Sequence, residues 1–97
     1  MSPETEKRIA LLFPPDQRDR VRRLLSEQCG NNLPLLESLD EVKLERVRFA
    51  ALKLSQGKLD GLERAVALAK TDWRDLLMAA DFGDPNAHSE WLPAKAT

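Results

Sequence analysis

Residues 39–57 carry two separate apolar patterns in one short segment, LDEVKLERVRFAALKLSQG. Ser38 and Glu41 have the spacing of a capping box, and Gly57 can close a helix in the left-handed conformation, so we predict a helix from about Leu39 to Gln56. At about 100° per residue its apolar side chains divide into two faces, one of Leu44, Val47, Ala51 and Leu54, the other of Val42, Phe49 and Leu52. This helix therefore has two surfaces to bury.

The second face allows two interpretations. A fold that wraps the helix on both sides would bury it in the core, whereas an open fold would leave it as a partner site. In the partner interpretation the apolar anchors are Val42, Phe49 and Leu52. The basic residues that would steer an acidic partner towards them are Lys43, Arg46 and Lys53. If the face is an interface, Phe49→Asp abolishes binding and leaves the fold intact; if the face is core, the same change unfolds the domain.

The segments before this helix are also helical in character. Pro14-Pro15 is typical of a helix start, and Cys29-Gly30 is typical of a helix end, so we predict a helix between them. Ahead of it, Ser2-Pro3-Glu4 can cap a short helix that ends at Leu12. The alternative is that residues 7–13 are extended.

After Gly57 the apolar spacing predicts helix again as far as Gly83. Thr71 or Asp72 can act as an N-cap, which favours two helices in this range over one unbroken helix. A last turn or two over Ala87, His88, Trp91 and Leu92 would place Trp91 as a clamp on the core. We expect loose ends at about residues 1–6 and 94–97.

Composition and length support one small helical domain. The chain has 97 residues, of which 42% are hydrophobic and 32% charged. Tyrosine is absent, β-branched residues are few, and Leu, Ala, Glu, Lys and Arg dominate, as is typical of helices. We predict an all-α fold, a compact single domain of four to five short helices over residues 1–97, arranged orthogonally or as a bundle. The longest apolar run, residues 9–13, is too short to span a membrane, so we expect a cytoplasmic protein without membrane contact.

Two arginines of the predicted 15–29 helix are candidate contacts for phosphate or for an acidic partner. Arg18 and Arg22 lie beside its apolar stripe, where an anion could reach them. Together with Arg46 and Lys53 they could serve a nucleic-acid accessory protein that contacts phosphates without sequence preference. The net charge of −1 makes nucleic acid a disfavoured partner, because such binding depends on many neutralised phosphates.

The residues with catalytic potential are few. Cys29 and His88 are the single cysteine and histidine of the chain, so they cannot form a four-ligand zinc site of Cys and His. Cys29 follows a helix C-terminus, where the dipole disfavours a thiolate, and we expect a core residue. We find no nucleotide, metal or hydrolase motif and expect no cofactor, no metal and no enzymatic activity.

These patterns favour a small non-catalytic module for protein interaction or regulation. Its binding surface would be the 39–56 helix, and its partner another protein or a second copy of the chain. The nucleic-acid accessory protein is the alternative, and a small enzyme is the third and least favoured hypothesis.

Overall fold

The chain forms helices over most of the part described by a computed structural model, which comprises residues 2–29, 41–82 and 91–93, without the side chains of residues 41–43. Within these ranges there are four helices: α1 (Pro3–Leu12), α2 (Pro15–Gln28), α3 (Glu41–Ser55) and α4 (Leu59–Ala79). The predicted all-α fold of four to five short helices is confirmed. None of the described helices combines the length and the apolar character needed to cross a bilayer.

The N-terminal segment is helical and not extended. Ser2 caps α1, since its hydroxyl oxygen accepts the N–H of Thr5 at 3.2 Å and its carbonyl accepts the N–H of Glu6 at 3.1 Å. Thr5 and Ile9 are buried. A loose end was predicted for about residues 1–6, whereas residues 3–6 form the first turn of α1, which a cap and a buried side chain stabilise.

The predicted limits of α2 and the predicted end of α3 agree with the structure. Helix α2 starts after Pro14 and ends at Cys29, whose N–H donates to the carbonyl of Leu25. The expected start of the next helix near residue 39 lies outside the described residues. After α3, Gly57 has φ +79°, and a Cβ on it would lie 2.9 Å from the carbonyl oxygen of Leu12. Glycine is thus required there by both backbone conformation and space.

Helix α4 contains a break where the sequence favours a second N-cap. Asp72 has extended dihedral angles, φ −159° and ψ 104°, and its Oδ1 accepts the N–H of Arg74 at 3.0 Å. This is the behaviour of a capping residue, so the two-helix interpretation with Asp72 as the cap fits the observed geometry.

The end of α4 differs from the prediction. Asp81 is left-handed, with φ +64°, ahead of the expected stop at Gly83, which lies outside the described residues. The N–H of Phe82 donates to the carbonyl of Leu77, and that of Asp81 to the carbonyl of Met78, which is a Schellman motif. Aspartate tolerates this conformation better than most residues, so the helix stops two residues early.

Each of the four helices packs on two others. Helix α3 packs most extensively on α4 and also on α1, while α2 packs on α4 and α1. Gly61 lets α4 approach the end of α3, because a Cβ there would meet the carbonyl oxygen of Ser55 at 2.6 Å. The Cα radius of gyration, 12.0 Å, matches the value of about 12.5 Å expected for a compact chain of this length.

Both apolar faces of α3 are covered. On the first face Leu44, Val47 and Ala51 are buried, and Leu54 is partly buried against them. On the second face Phe49 is 1% exposed and Leu52 is 0% exposed. The core interpretation is therefore correct for Phe49 and Leu52, because α3 has neighbours on both sides.

Candidate functional site

The second face of α3 is covered by α1 and by the C-terminal part of the chain. This corrects the prediction that Phe49 and Leu52 are apolar anchors for a partner, since neither is exposed in the folded chain. The same prediction included Val42 and Lys43, whose side chains lie outside the described part of the structure. The groups that cover Phe49 are the guanidinium of Arg8 and the indole ring of Trp91.

Arg8 of α1 is a buried cation on this face, with 2% of its surface exposed. Its guanidinium carbon lies 4.0 Å from the centroid of the Phe49 ring. Its Nε and Nη2 both donate to the carbonyl oxygen of Trp91, at 3.1 and 2.8 Å. Its Nη1 donates to the carbonyl and to the carboxylate of Glu4, at 2.9 Å each. Such a hydrogen-bonded fork against an aromatic ring offsets the cost of burying a guanidinium inside a small core.

The hydrogen bond from Arg8 also has an electrostatic effect on Glu4. It holds the pKa of that exposed carboxyl below its ordinary value. The sequence analysis missed Arg8 altogether. A signal for it exists, because Thr5, Arg8, Ile9 and Leu12 follow the i, i+3, i+4, i+7 spacing of a buried helix stripe.

Trp91 occupies the position predicted for it, as a clamp on the core. Its ring centroid lies 6.3 Å from that of Phe49 and 6.0 Å from that of Phe82, both in tilted arrangements. The predicted last helical turn is not observed at its C-terminal end, since residues 91–93 are not helical. His88 and Ala87 lie outside the described residues. Leu92 next to the clamp is 50% exposed.

Arg46 and Lys53 bind the end of α4 within the chain. Arg46 donates to the carbonyl oxygen of Phe82 through Nε at 3.0 Å and also through Nη2. Lys53 Nζ donates to the carbonyl of Ala80 at 2.8 Å and lies 4.8 Å from the centroid of the Phe82 ring. In the folded chain they neutralise the carbonyl-rich, partly negative end of a helix. Their role in steering an acidic partner stays a prediction.

We call the cluster of the Arg8, Arg46, Phe49 and Lys53 side chains, which the C-terminal part of the chain covers, the docking face. Two α-helices supply these side chains, and together they hold the chain from Ala80 to Phe82 and again at Trp91. Three of its four residues were singled out from the sequence as a partner site. Among the described residues, the partner they bind is a segment of the same chain.

The two arginines predicted to contact phosphate also have partners within the chain. Arg18 donates to the carbonyls of Phe13 and Ala10, at 3.0 and 3.2 Å, and so caps the end of α1. Arg22 pairs with Glu6 of α1 at 2.7 Å and with Asp19 at 2.7 Å. Its hydrogen bond with Glu6 raises the pKa of Arg22. These contacts favour a structural role for both arginines over phosphate binding.

Cys29 lies in the core, as expected, with none of its surface exposed. Burial raises the pKa of its thiol to about 12. A protonated thiol without solvent contact is a poor nucleophile. In the described ranges no three residues of the His, Cys, Asp and Glu types come together in a way that could hold a metal ion.

The buried thiol gives a testable dependence of stability on pH. The unfolded chain releases the Cys29 proton near pH 9, whereas the folded chain keeps it to about pH 12. The folded-state pKa is raised, so this contribution is complete below pH 9 and is lost as the pH rises towards 12. Urea denaturation at pH 8 and pH 10.5 should show a loss of about 2 kcal/mol from this thiol. The Cys29→Ala variant should lack that part of the loss, and equal pH dependence of the two chains would contradict a buried thiol.

No protein-family model matches the chain, and comparison with curated proteins and with solved structures finds no match.

Proposed function

We propose that the chain is a small, non-catalytic protein-interaction module whose docking face binds an extended segment carrying an aromatic side chain. The observation that carries this proposal is the pair of hydrogen bonds from Arg8 Nε and Nη2 to the main-chain carbonyl of Trp91. A carbonyl is present in every peptide, so these bonds do not depend on the sequence of the segment. The rings of Phe49 and Phe82 add selectivity for an aromatic residue.

The segment now on the docking face has the features of a replaceable occupant. Residues 91–93 form no helix, and Trp91 is partly buried. Leu92 exposes half of its surface beside it. We propose that an aromatic-containing peptide of another protein competes with residues 91–93 for the same contacts. Occupation of the docking face by residues 91–93 would then be regulatory, since this segment limits the access of a partner peptide.

The test uses a labelled synthetic peptide with the sequence of residues 86–97 and the full-length Trp91→Ala chain. Fluorescence anisotropy should show saturable binding to this variant, because the competing side chain is gone. Binding to the wild-type chain should be at least about tenfold weaker, because only the fraction of molecules with a vacant face can bind.

A matched peptide with alanine in place of tryptophan should bind neither chain. Equal binding of the two peptides, or no binding of the tryptophan peptide to Trp91→Ala, would contradict the proposal. The partner could also be a second copy of the chain. Sedimentation of the wild-type chain over a range of concentrations tests this case by measuring whether a dimer forms. A dimer that disappears in Trp91→Ala would mean that two copies exchange their C-terminal segments.

We also propose a cytoplasmic location. The single cysteine, held as a buried free thiol, is compatible with a reducing compartment.

A further inference from the structure

The guanidinium of Arg8 binds the segment on the docking face through one of its edges. Its Nε and Nη2 donate to the same carbonyl oxygen of Trp91, at 3.1 and 2.8 Å. Its Nη1 is engaged elsewhere, since it donates to the carbonyl and to the carboxylate of Glu4 on the same helix. The Nε–Nη2 edge is therefore the part of Arg8 that contacts the main chain at Trp91.

This edge presents two donors to a single acceptor atom. The two N–H groups of a guanidinium edge are nearly parallel, and they match a carboxylate, whose two oxygens each accept one of them at about 2.7 to 2.9 Å. A main-chain carbonyl has one oxygen, so both hydrogen bonds converge on it, and the bond from Nε is the longer of the two at 3.1 Å. The present occupant thus leaves the second acceptor position of the fork unused.

The charges around the fork favour a negative acceptor. Arg8 is 2% exposed, so a group that replaces the Trp91 carbonyl binds a cation that is shielded from water. The carboxylate of Glu4 is 58% exposed, and solvent screens part of its charge. Lys53 adds a second cation, since its Nζ lies 4.8 Å from the centroid of the Phe82 ring, and that ring lies 6.0 Å from the ring of Trp91.

The position of the acceptor in the chain indicates which carboxylate fits. The oxygen bound by Arg8 belongs to the main-chain carbonyl of an aromatic residue, whose ring lies near those of Phe49 and Phe82. In a peptide that ends at its aromatic residue, the same carbon carries two oxygens. No residue follows it, so this group can rotate about the Cα–C bond until each oxygen accepts one donor, while the ring keeps its place.

We propose that the docking face recognises the C-terminus of a partner protein whose last residue is aromatic. The Nε–Nη2 edge of Arg8 binds the terminal carboxylate, and the rings of Phe49 and Phe82 contact the aromatic side chain. This inference rests on the function proposed above and specifies the partner. In residues 91–93 the tryptophan is followed by Leu92, so this segment lacks the carboxylate at that point and is the weaker occupant.

Three peptides with a fluorescent label at the N-terminus test the proposal on the full-length Trp91→Ala chain. The first has the sequence of residues 86–91 and ends in a free carboxylate. The second has the same sequence and ends in a carboxamide, and the third continues to residue 93 and also ends in a carboxamide. Fluorescence anisotropy should show that the free acid binds at least about tenfold more tightly than either amide, because a charged acceptor with two oxygens replaces a neutral one.

Two further substitutions in the Trp91→Ala chain separate the fork from a general attraction of charge. Arg8→Lys keeps the cation and removes the fork, so the preference for the free acid over the amides should fall to about threefold or less. Lys7→Met removes an exposed cation of the same helix and should keep the full preference.

Equal affinity of the free acid and of either amide for the Trp91→Ala chain would overturn this inference and leave the proposed function in place. A full preference that survives in Arg8→Lys would also overturn it, because overall charge would then account for the difference. If none of the three peptides binds, both the inference and the proposed function are overturned. The comparison of the peptides on the Trp91→Ala chain decides the question even if Arg8→Lys does not fold.

Discussion

Phe49→Asp is expected to unfold the domain. Phe49 is 1% exposed and packs against the guanidinium of Arg8 and near the ring of Trp91. Truncating such a phenylalanine costs about 3 to 5 kcal/mol, and burying an unpaired carboxylate in its place costs several more. The total stability of a domain of this size is about 5 to 15 kcal/mol. The loss is therefore comparable with the entire free energy of unfolding.

Circular dichroism and urea denaturation measure this effect. Met78→Asp is the matched control, since it places the same charge on a helical apolar residue that is 70% exposed. The control should lose no more than about 1 kcal/mol, a cost set by the helix propensity of aspartate and by its charge near the end of α4. A Phe49→Asp chain that unfolds cooperatively with near-normal stability would show that Phe49 lies at the surface, as the partner interpretation of the sequence supposed.

Arg8→Met is expected to destabilise the domain by about 2 to 3 kcal/mol, which lowers the melting temperature by roughly 10 to 20 °C. Methionine retains much of the packing volume but removes the donors to the Trp91 carbonyl and the cation above Phe49. The carbonyl left without a donor and the lost cation–π contact both weaken the fold. Relief from desolvating a buried guanidinium offsets part of this loss.

Thermal denaturation checks the size of this effect, and fluorescence checks its location. In a Trp73→Phe background the emission comes from Trp91 alone, and the Arg8→Met change should shift that emission to longer wavelength as the ring becomes more exposed. Lys7→Met, the exposed neighbour on α1, should change neither quantity appreciably. An unchanged Trp91 emission in Arg8→Met would show that the ring packs without the help of the guanidinium.

Most of the secondary structure could be predicted because local chemistry determines it. Pro15 and Gly57 mark a helix start and a helix end through backbone conformation, and Asp72 breaks α4 by capping it. The end of α4 was placed too late because glycine is the usual left-handed residue, whereas Asp81 takes that conformation in this chain. Residue preferences rank glycine above aspartate for a left-handed position, but they do not determine which of the two ends a given helix.

The docking face could be predicted only in part, for a physical reason. Helical periodicity shows that Phe49 faces away from the first apolar stripe, and it shows that Arg46 and Lys53 flank it. Periodicity does not show which distant segment covers a face. Trp91 and Arg8 come from opposite ends of the described sequence, and their contact depends on how the helices pack. The same residues were therefore assigned to an external partner.

The hydrogen bonds between Arg8 and Trp91 join residues 83 positions apart. The pairing of α3 with α4, by contrast, closes a connection of only a few residues around Gly57. Short loops close at lower entropic cost, so we expect the α3–α4 hairpin to form before the chain ends meet. Contacts that form after the folding barrier affect the rate of unfolding and hardly affect the rate of folding. The contacts of Trp91 would thus determine the lifetime of the folded state before it unfolds, while the α3–α4 hairpin would determine the folding rate.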